Sequence, residues 1–228
     1  MKVAVGWSGG KESALALYTV MAWSSYTVST LLTTFTEGYD RVTMHGVRRG
    51  LVERQAEALG IPLHRVFIPR DCSMNVYDER MGEAVLKLRG EGIEAVVFGD
   101  VFLEDVRRYR EENLSKLGMG VIEPLWGRST RELAETFIDL GFKAIVTCID
   151  TRLLSKEFLG RIFDEGFLED LPSNVDPCGE NGEFHTFVFQ GPIFKGRVEF
   201  NIGESLKRGF FLYCDLIPLP QKTLDTDP

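Results

Sequence analysis

The stretch Val3-Ala4-Val5-Gly6-Trp7-Ser8-Gly9-Gly10-Lys11-Glu12-Ser13-Ala14-Leu15-Ala16-Leu17-Tyr18 reads as strand, glycine-rich loop and helix. A short apolar run ends in residues that permit tight turning, and apolar positions 14, 17, 18 and 21 then recur at helical spacing. Backbone N–H groups of such a loop, backed by a helix N-terminus, form an anion hole. Ser8 and Ser13 add hydroxyls, Gly9 and Gly10 admit an oxyanion close to the main chain, and Lys11 adds a positive charge. This chemistry predicts a phosphate guest. The alternative is a plain strand-to-helix turn, which has no need of the lysine.

Spacing excludes two common phosphate loops. In Gly-x-x-x-x-Gly-Lys-Ser/Thr a hydroxyl follows the lysine, whereas here Gly6 and Gly10 enclose only three residues and Glu12 follows Lys11. The dinucleotide fingerprint Gly-x-Gly-x-x-Gly cannot be laid on residues 6 to 13 either. Residues 8 to 13 resemble instead the Ser-Gly-Gly-x-Asp-Ser loop of the ATP pyrophosphatase (PP-loop) superfamily, with Glu12 in the place of the usual Asp. That resemblance implies ATP, cleavage between its α- and β-phosphates, and transfer of AMP to a substrate oxygen.

The 228 residues suffice for one large domain, or one domain with a smaller appendage. At 44% hydrophobic and 26% charged the composition is that of an ordinary soluble protein. The net charge of −8 argues against bulk nucleic-acid binding, which needs a basic face. No apolar run is long enough to span a bilayer, and Lys2 leads straight into the strand and loop, not into a signal peptide. A cytoplasmic protein with no membrane partner is expected. Cys72, Cys148, Cys178 and Cys214 are widely spaced, without a zinc pattern, and are expected to be reduced.

Tyr26 to Phe35, rich in Thr, Val and Leu, predicts a second strand. Its C-terminal residues Thr33, Thr34 and Phe35 fall where open α/β sheets place their ligand crevice; the resemblance implies that the backbone at Thr34 and Phe35 reads adenine. Met44-His45-Gly46-Val47 opens a helix to Leu59, stopped by Gly60, with His45 near its start as an anion donor or a structural residue. Leu63 to Ile68 is a third strand, Val76 to Arg89 a helix, and Glu94 to Phe98 a fourth strand ending in Gly99-Asp100. At that tip Asp100 either points into the crevice, holding Mg²⁺ or orienting an amine, or caps a helix from Val101 to Leu117. Arg107-Arg108-Tyr109-Arg110 is a basic cluster that is either a solvated face or an anion-holding one.

Thr130 to Leu140 is a helix, and Lys143 to Ile149 is apolar enough for a strand buried on both faces. Alternation from residue 1 to about 150 predicts a doubly wound parallel α/β sheet, with the nucleotide half ending there; the resemblance makes it HUP-like, of the adenine nucleotide α-hydrolase type. A smaller α+β domain over 151–218 follows, with a helix from Leu153 to Phe163 and strands at Phe184 to Gln190, Arg197 to Ile202 and Phe210 to Leu216. The tail 219–228 is aperiodic and expected to be disordered.

Cys178-Gly179-Glu180-Asn181-Gly182-Glu183-Phe184-His185-Thr186-Phe187-Val188 crowds two carboxylates, an amide, a histidine and a hydroxyl together. On a strand starting near Glu183, Glu183 and His185 share one face. An acid and a base side by side suit Mg²⁺ binding or removal of a proton from an attacking amine; the alternative is a hairpin with solvated charges. This motif, the loop at residues 8 to 13, Gly99-Asp100, Pro124-Leu125-Trp126 and Gly191-Pro192-Ile193-Phe194 together resemble the DUF71 or diphthine–ammonia ligase-like branch of the PP-loop proteins. The diphthine-amidating members look like Glu-Gly-Gly-Glu-Phe-Glu-Thr where this chain has Glu180-Asn181-Gly182-Glu183-Phe184-His185-Thr186.

The resemblance implies an ATP-dependent amide-forming ligase that adenylates a carboxylate with ATP and Mg²⁺ and passes ammonia or an amine to it. Lys11, Asp100, Glu183 and His185 are expected to carry the chemistry, with Asp100 and Glu183 holding Mg²⁺. Ser8, Gly9, Gly10, Lys11, Glu12, Ser13, Thr34, Phe35, His45 and Gly99 are expected to bind ATP, and Glu180, Asn181 and Thr186 the acceptor. The acceptor, recognised by the residues after 150, is a small molecule or a modified protein residue: diphthine, or another carboxylate as in cobamide salvage. A homodimer is compatible with the fold. Two rivals stand beside this reading. One is thiolation, for which Cys178 is the candidate; the other is an ATP-binding sensor without turnover, which Glu12 in place of Asp would fit.

Overall fold

The computed structural model describes residues 1–42 and 46–220, so His45 and most of the tail lie outside the described residues. Val3, Ala4 and Val5 of β1 (Lys2–Gly6) are fully buried, because the strand has sheet neighbours on both sides and helices over both faces. It pairs in parallel with β2 (Thr27–Thr36) and with β5 (Ala95–Val97). β2 continues in parallel to β4 (Leu63–Ile68) and β5 to β6 (Gly120–Ile122). A two-residue strand, β3 (Arg41–Val42), runs antiparallel to the end of β2.

Alternate residues of the central strands feed two cores, as a period of two demands. Val3 and Val5 pack with α1 (Lys11–Met21) and α2 (Arg49–Leu59). Ala4 and Val96 pack with α3 (Met74–Gly90) and α4 (Glu104–Lys116) on the other face. The sheet is doubly wound, as expected.

The expected strand over 143–149 forms, but in a different sheet. β7 (Lys143–Asp150) pairs antiparallel with β8 (Phe184–Gln190) and with β10 (Phe211–Pro218), and β10 pairs antiparallel with β9 (Phe200–Arg208). Its apolar run is still explained by burial, since Ala144 to Asp150 are buried throughout. An interior strand covered on both faces has the same composition whichever sheet owns it. The two sheets share one apolar core, in which Phe142, just before β7, stands edge-on to Tyr18 of α1 at 5.9 Å.

The helix expected from Leu153 to Phe163 shrinks to a 3₁₀ turn at Lys156–Phe158, with Gly160 beyond it at φ 77°. α5 (Thr130–Asp139) precedes β7, and α6 (Glu165–Asp170) follows the turn. Phe158 and Phe163, which fell within that expected helix, pack instead into a ring cluster with Phe167 and Phe184. α4 starts at Glu104, three residues later than its expected start at Val101, which frees Asp100 from the capping role. No helix among the described residues is long and apolar enough to cross a membrane.

Candidate active site

β1 ends at Gly6 and α1 begins at Lys11, so the loop between them opens at the C-terminal edge of the parallel sheet, where its strand order reverses. Gly9 sits at φ 81°, a left-handed conformation that glycine adopts without strain. Gly10 caps α1 with no side-chain acceptor, leaving the first helical amides to other partners. Ser8 Oγ accepts from the Gly10 N–H at 3.2 Å and donates to Ser13 Oγ at 3.3 Å. A crevice of about 370 Å³ opens above the loop, lined by Ser8, Glu12, Ser13, Thr34, Gly99, Asp100, Glu180 and His185 among others. Eight of the expected site residues are thus brought to one place.

Lys11 does not join them. It is 3% exposed, and its ammonium donates to the Cys178 carbonyl, pairs with Glu12 at 2.6 Å and lies 4.6 Å from the Phe184 ring centre. Burial alone would depress this amine, but Glu12 and its neighbours carry it upward, so it stays charged. Where a lysine facing phosphate was expected, the ammonium instead ties the phosphate loop to the second motif.

The tip of β5 approaches the loop closely. A Cβ at Gly99 would stand 2.7 Å from the Glu12 main chain, so only glycine lets strand and loop meet. Asp100 faces the crevice and pairs with Arg110 of α4, whose guanidinium also lies 4.0 Å from the Phe98 ring centre. Burial pushes the Asp100 carboxyl up, against the pull of Arg110. Glu180 reaches the same place from the second motif, its Oε1 accepting from the Val101 N–H at 2.9 Å. Burial, reinforced by the charge of Glu12, pushes Glu180 up to about 7. The basic cluster divides: Arg110 faces the crevice, while Arg107 pairs outside it with Glu111 and Glu123.

Within the second motif the polar residues mostly face inward. Glu183 is 3% exposed and accepts from the Asp176 N–H at 3.1 Å, the Asn181 N–H at 3.0 Å and the Asn181 amide at 3.0 Å. Unlike the crevice-facing carboxylate expected, it spends three hydrogen bonds on its own loop and does not line the crevice. Asn181 serves that scaffold and does not line the crevice. Thr186 is buried and accepts from the Lys11 N–H at 3.2 Å, so it docks β8 onto α1 and does not line the crevice. Phe35 does not line the crevice either. Its ring is buried against Phe67, and its backbone is paired to β3 and β4 on both sides.

Gln55 is the functional-site residue that the sequence reading missed. It is fully buried, donates to the Gly9 and Val188 carbonyls at 3.0 and 2.6 Å, and accepts from the Trp7 indole N–H at 2.9 Å. It holds loop and β8 together from α2. Its signal was a polar residue within the buried stripe Leu51, Val52, Gln55, Ala56 and Leu59.

A phosphate-type loop at the switch point of a doubly wound sheet, roofed by a second motif, defines an α/β nucleotide-binding protein. Comparison with known proteins refines this. Residues 1–121 match the diphthamide synthase N-terminal domain and residues 129–216 the diphthamide synthase C-terminal domain. The chain belongs to the diphthamide synthase family. Diphthine–ammonia ligase of Mus musculus is 30% identical over 229 residues, which covers 90% of this chain and 85% of the mouse protein. That of Bos taurus is 29% identical over 221 residues, 87% of this chain and 82% of its own. With this membership the chain is an ATP-dependent ligase. The solved U34-tRNA thiolase NcsA of Methanococcus maripaludis, with its [4Fe-4S] cluster, covers 62% of this chain and 57% of its own at 20% identity and a TM-score of 0.39, a likeness too slight to bear on chemistry.

Proposed function

We propose that the protein activates a carboxylate with ATP as an acyl-adenylate and then transfers ammonia to it, releasing pyrophosphate and AMP. The observation that carries this is the shared crevice: Ser8 and Ser13 of the phosphate loop face His185 and Glu180 of the second motif across one cavity. A nucleotide on the loop therefore lies against whatever the second motif holds. Ser8, Ser13 and the amides of α1 bind the departing pyrophosphate, and Arg110 supplies the cation that Lys11 does not.

Glu12, Asp100 and Glu180 all line the crevice. One or two of these carboxylates would hold Mg²⁺ together with the phosphates. Mg²⁺ would neutralise the phosphate charge there. Glu180, titrating near neutrality, and His185 are placed to take the proton that the attacking ammonia gives up. The diphthine named for the relatives is one acceptor in this reading. His185 stands where the sequence resemblance implies a carboxylate in diphthine-amidating members, and alters the charge that an acceptor meets. The unit built on the second sheet, β7 to β10, recognises that acceptor.

Thiolation is disfavoured by Cys178. Burial pushes its thiol far above the usual range, and its Sγ donates to the Thr130 carbonyl at 3.2 Å. The test is product analysis of α-labelled ATP with the protein, Mg²⁺, ammonium and a diphthine-bearing substrate or a cell extract. AMP and pyrophosphate that appear only with acceptor are expected. ADP would overturn the reading, and tightly bound but intact ATP with every acceptor would favour a sensor.

A further inference from the structure

The glycines of the phosphate loop admit an oxyanion, but they leave one property of the loop open. A trans peptide points its carbonyl and its N–H to opposite sides, and the Gly9–Gly10 peptide has no Cβ at either end to oppose turning over. Gly9 at φ 81° and Gly10 at φ −89° are one of the two arrangements related by that turn. In this one the Gly9 carbonyl points into the protein, and the Gly10 N–H emerges beside Ser8, whose Oγ accepts from it at 3.2 Å on the crevice wall. In the other, a carbonyl oxygen would stand where a phosphate oxygen belongs, and the two would repel. α1 fixes the course of the loop but not the sense of this peptide.

Gln55 supplies the missing bias. Its amide nitrogen places one hydrogen on the Gly9 carbonyl at 3.0 Å and the other on the Val188 carbonyl at 2.6 Å. The Val188 N–H adds a second bond to the same Gly9 oxygen at 2.9 Å. Trp7 decides which end of the amide faces Gly9. An indole N–H only donates, so it takes Oε1, at 2.9 Å, and leaves the NH₂ group for the two carbonyls. Trp7 is held in turn by β2, its N–H on the Leu32 carbonyl at 2.8 Å and its own carbonyl accepting from Thr33 Oγ1 at 2.6 Å. Because Gln55 is fully buried, a turned peptide would strip one of its hydrogens and the Val188 N–H of their acceptor, out of reach of water. Two neighbouring amides are already spent, that of Lys11 on Thr186 and that of Ala14 on the Gly10 carbonyl, which adds to the weight of the Gly10 N–H.

We propose that Gln55 is a positioning residue for phosphate binding: with Trp7 it holds the Gly9–Gly10 peptide in the sense that turns an N–H, not a carbonyl, toward the leaving pyrophosphate. The inference rests on the ligase reading above and deepens it, giving a buried side chain of α2 control over whether the loop attracts or repels an anion. The same contact accounts for Gly9. A Cβ there would stand 2.7 Å from Gln55 Oε1, so the side chain that pins the loop requires the glycine that it pins.

The experiment is titration of inorganic pyrophosphate into the ¹⁵N-labelled full chain, following the Gly10 amide resonance. In the native protein that resonance should shift saturably. Gln55→Met keeps the volume of the side chain and loses its donors and acceptor, so pyrophosphate affinity should fall about tenfold and the Gly10 shift at saturation should shrink. Leu59→Ala lies on the same buried stripe of α2 but has no hydrogen bond to lose. It should lower the melting temperature and hold pyrophosphate affinity within about twofold, which separates positioning from support of the fold. Gln55→Glu keeps an acceptor for Trp7 and, once ionised, has no donor for Gly9, so it should repeat the loss where Met is not tolerated. Unchanged affinity in the Gln55 variants, an equal loss in Leu59→Ala, or a Gly10 resonance that bound pyrophosphate does not move in the native chain would overturn the proposal and leave the ligase reading standing. A native chain that binds no pyrophosphate would overturn both.

Discussion

The two loops that form the crevice use their polar residues in opposite ways. Residues 8–13 turn Ser8, Glu12 and Ser13 toward the cavity, whereas residues 176–186 fold Asp176, Asn181 and Glu183 into their own support. The first loop has a helix behind it and needs little else to keep its shape. The second has only a six-residue helix, α6, before it and β8 after it, so its shape comes from side chains that bond its backbone. A run of polar residues therefore marks the cavity wall in one loop and, Glu180 and His185 apart, construction in the other. Burial tells the two apart.

Lys11 crosses this division and gives the largest expected effect. It belongs to the first motif by sequence and to the second by contact. Lys11→Ala leaves Glu12 and the Cys178 carbonyl without their cation, and should cost about 3 kcal/mol in urea unfolding, as loss of one partner from a buried pair does. Nucleotide binding should fall with it, because the roof of the crevice comes loose. A variant of unchanged stability that had lost ATP binding would return Lys11 to the phosphate and erase the contrast.

Glu183→Gln should come next, at about 2 kcal/mol, since one oxygen instead of two must satisfy three donors. The Mg²⁺ concentration for half-maximal activity should not move. A shift in that concentration at constant stability would make Glu183 a ligand after all.

The fold and half of the site were legible because they follow from local pattern. The strand, loop and helix of residues 3 to 21 are encoded in neighbouring residues, and Gly99 and Asp100 were placed by where a strand must end. What could not be read were facts of pairing between distant segments. An apolar strand at 143–150 is equally at home in a parallel or an antiparallel sheet, and composition does not name its neighbours. Gln55 acts on Gly9 and Val188, one 46 positions before it and the other 133 after. Likewise Lys11 could be seen as a cation beside a phosphate loop, but the Cys178 carbonyl that takes it lies 167 positions away.

Arg110 sharpens the picture of the first loop. If it supplies the cation that Lys11 withholds, Arg110→Ala should weaken ATP-analogue binding about tenfold, while stability changes by less than about 1 kcal/mol, since the side chain is 28% exposed. Unchanged nucleotide affinity would mean that the α1 amides and Mg²⁺ suffice.

Glu180 gives the smallest effect and the most specific one. Among the carboxylates of the second motif it is the one that faces the crevice, and burial with the charge of Glu12 raises it from 4.5 to about 7. A carboxyl raised in the folded state holds its proton more tightly there than in the unfolded chain. Its stabilising contribution is therefore complete below about pH 4.5 and is lost as the pH rises through about 7. Glu180→Gln, neutral throughout, has no such loss. Between about pH 5 and 8 the melting temperature of the native protein should fall relative to that of the variant, and Mg²⁺ with α,β-methylene-ATP should flatten the slope by neutralising the carboxylates around it. A difference that stays constant with pH would show Glu180 ionised throughout, held by the Val101 N–H as firmly as Glu183 is held by its loop, and the contrast between the two glutamates would close.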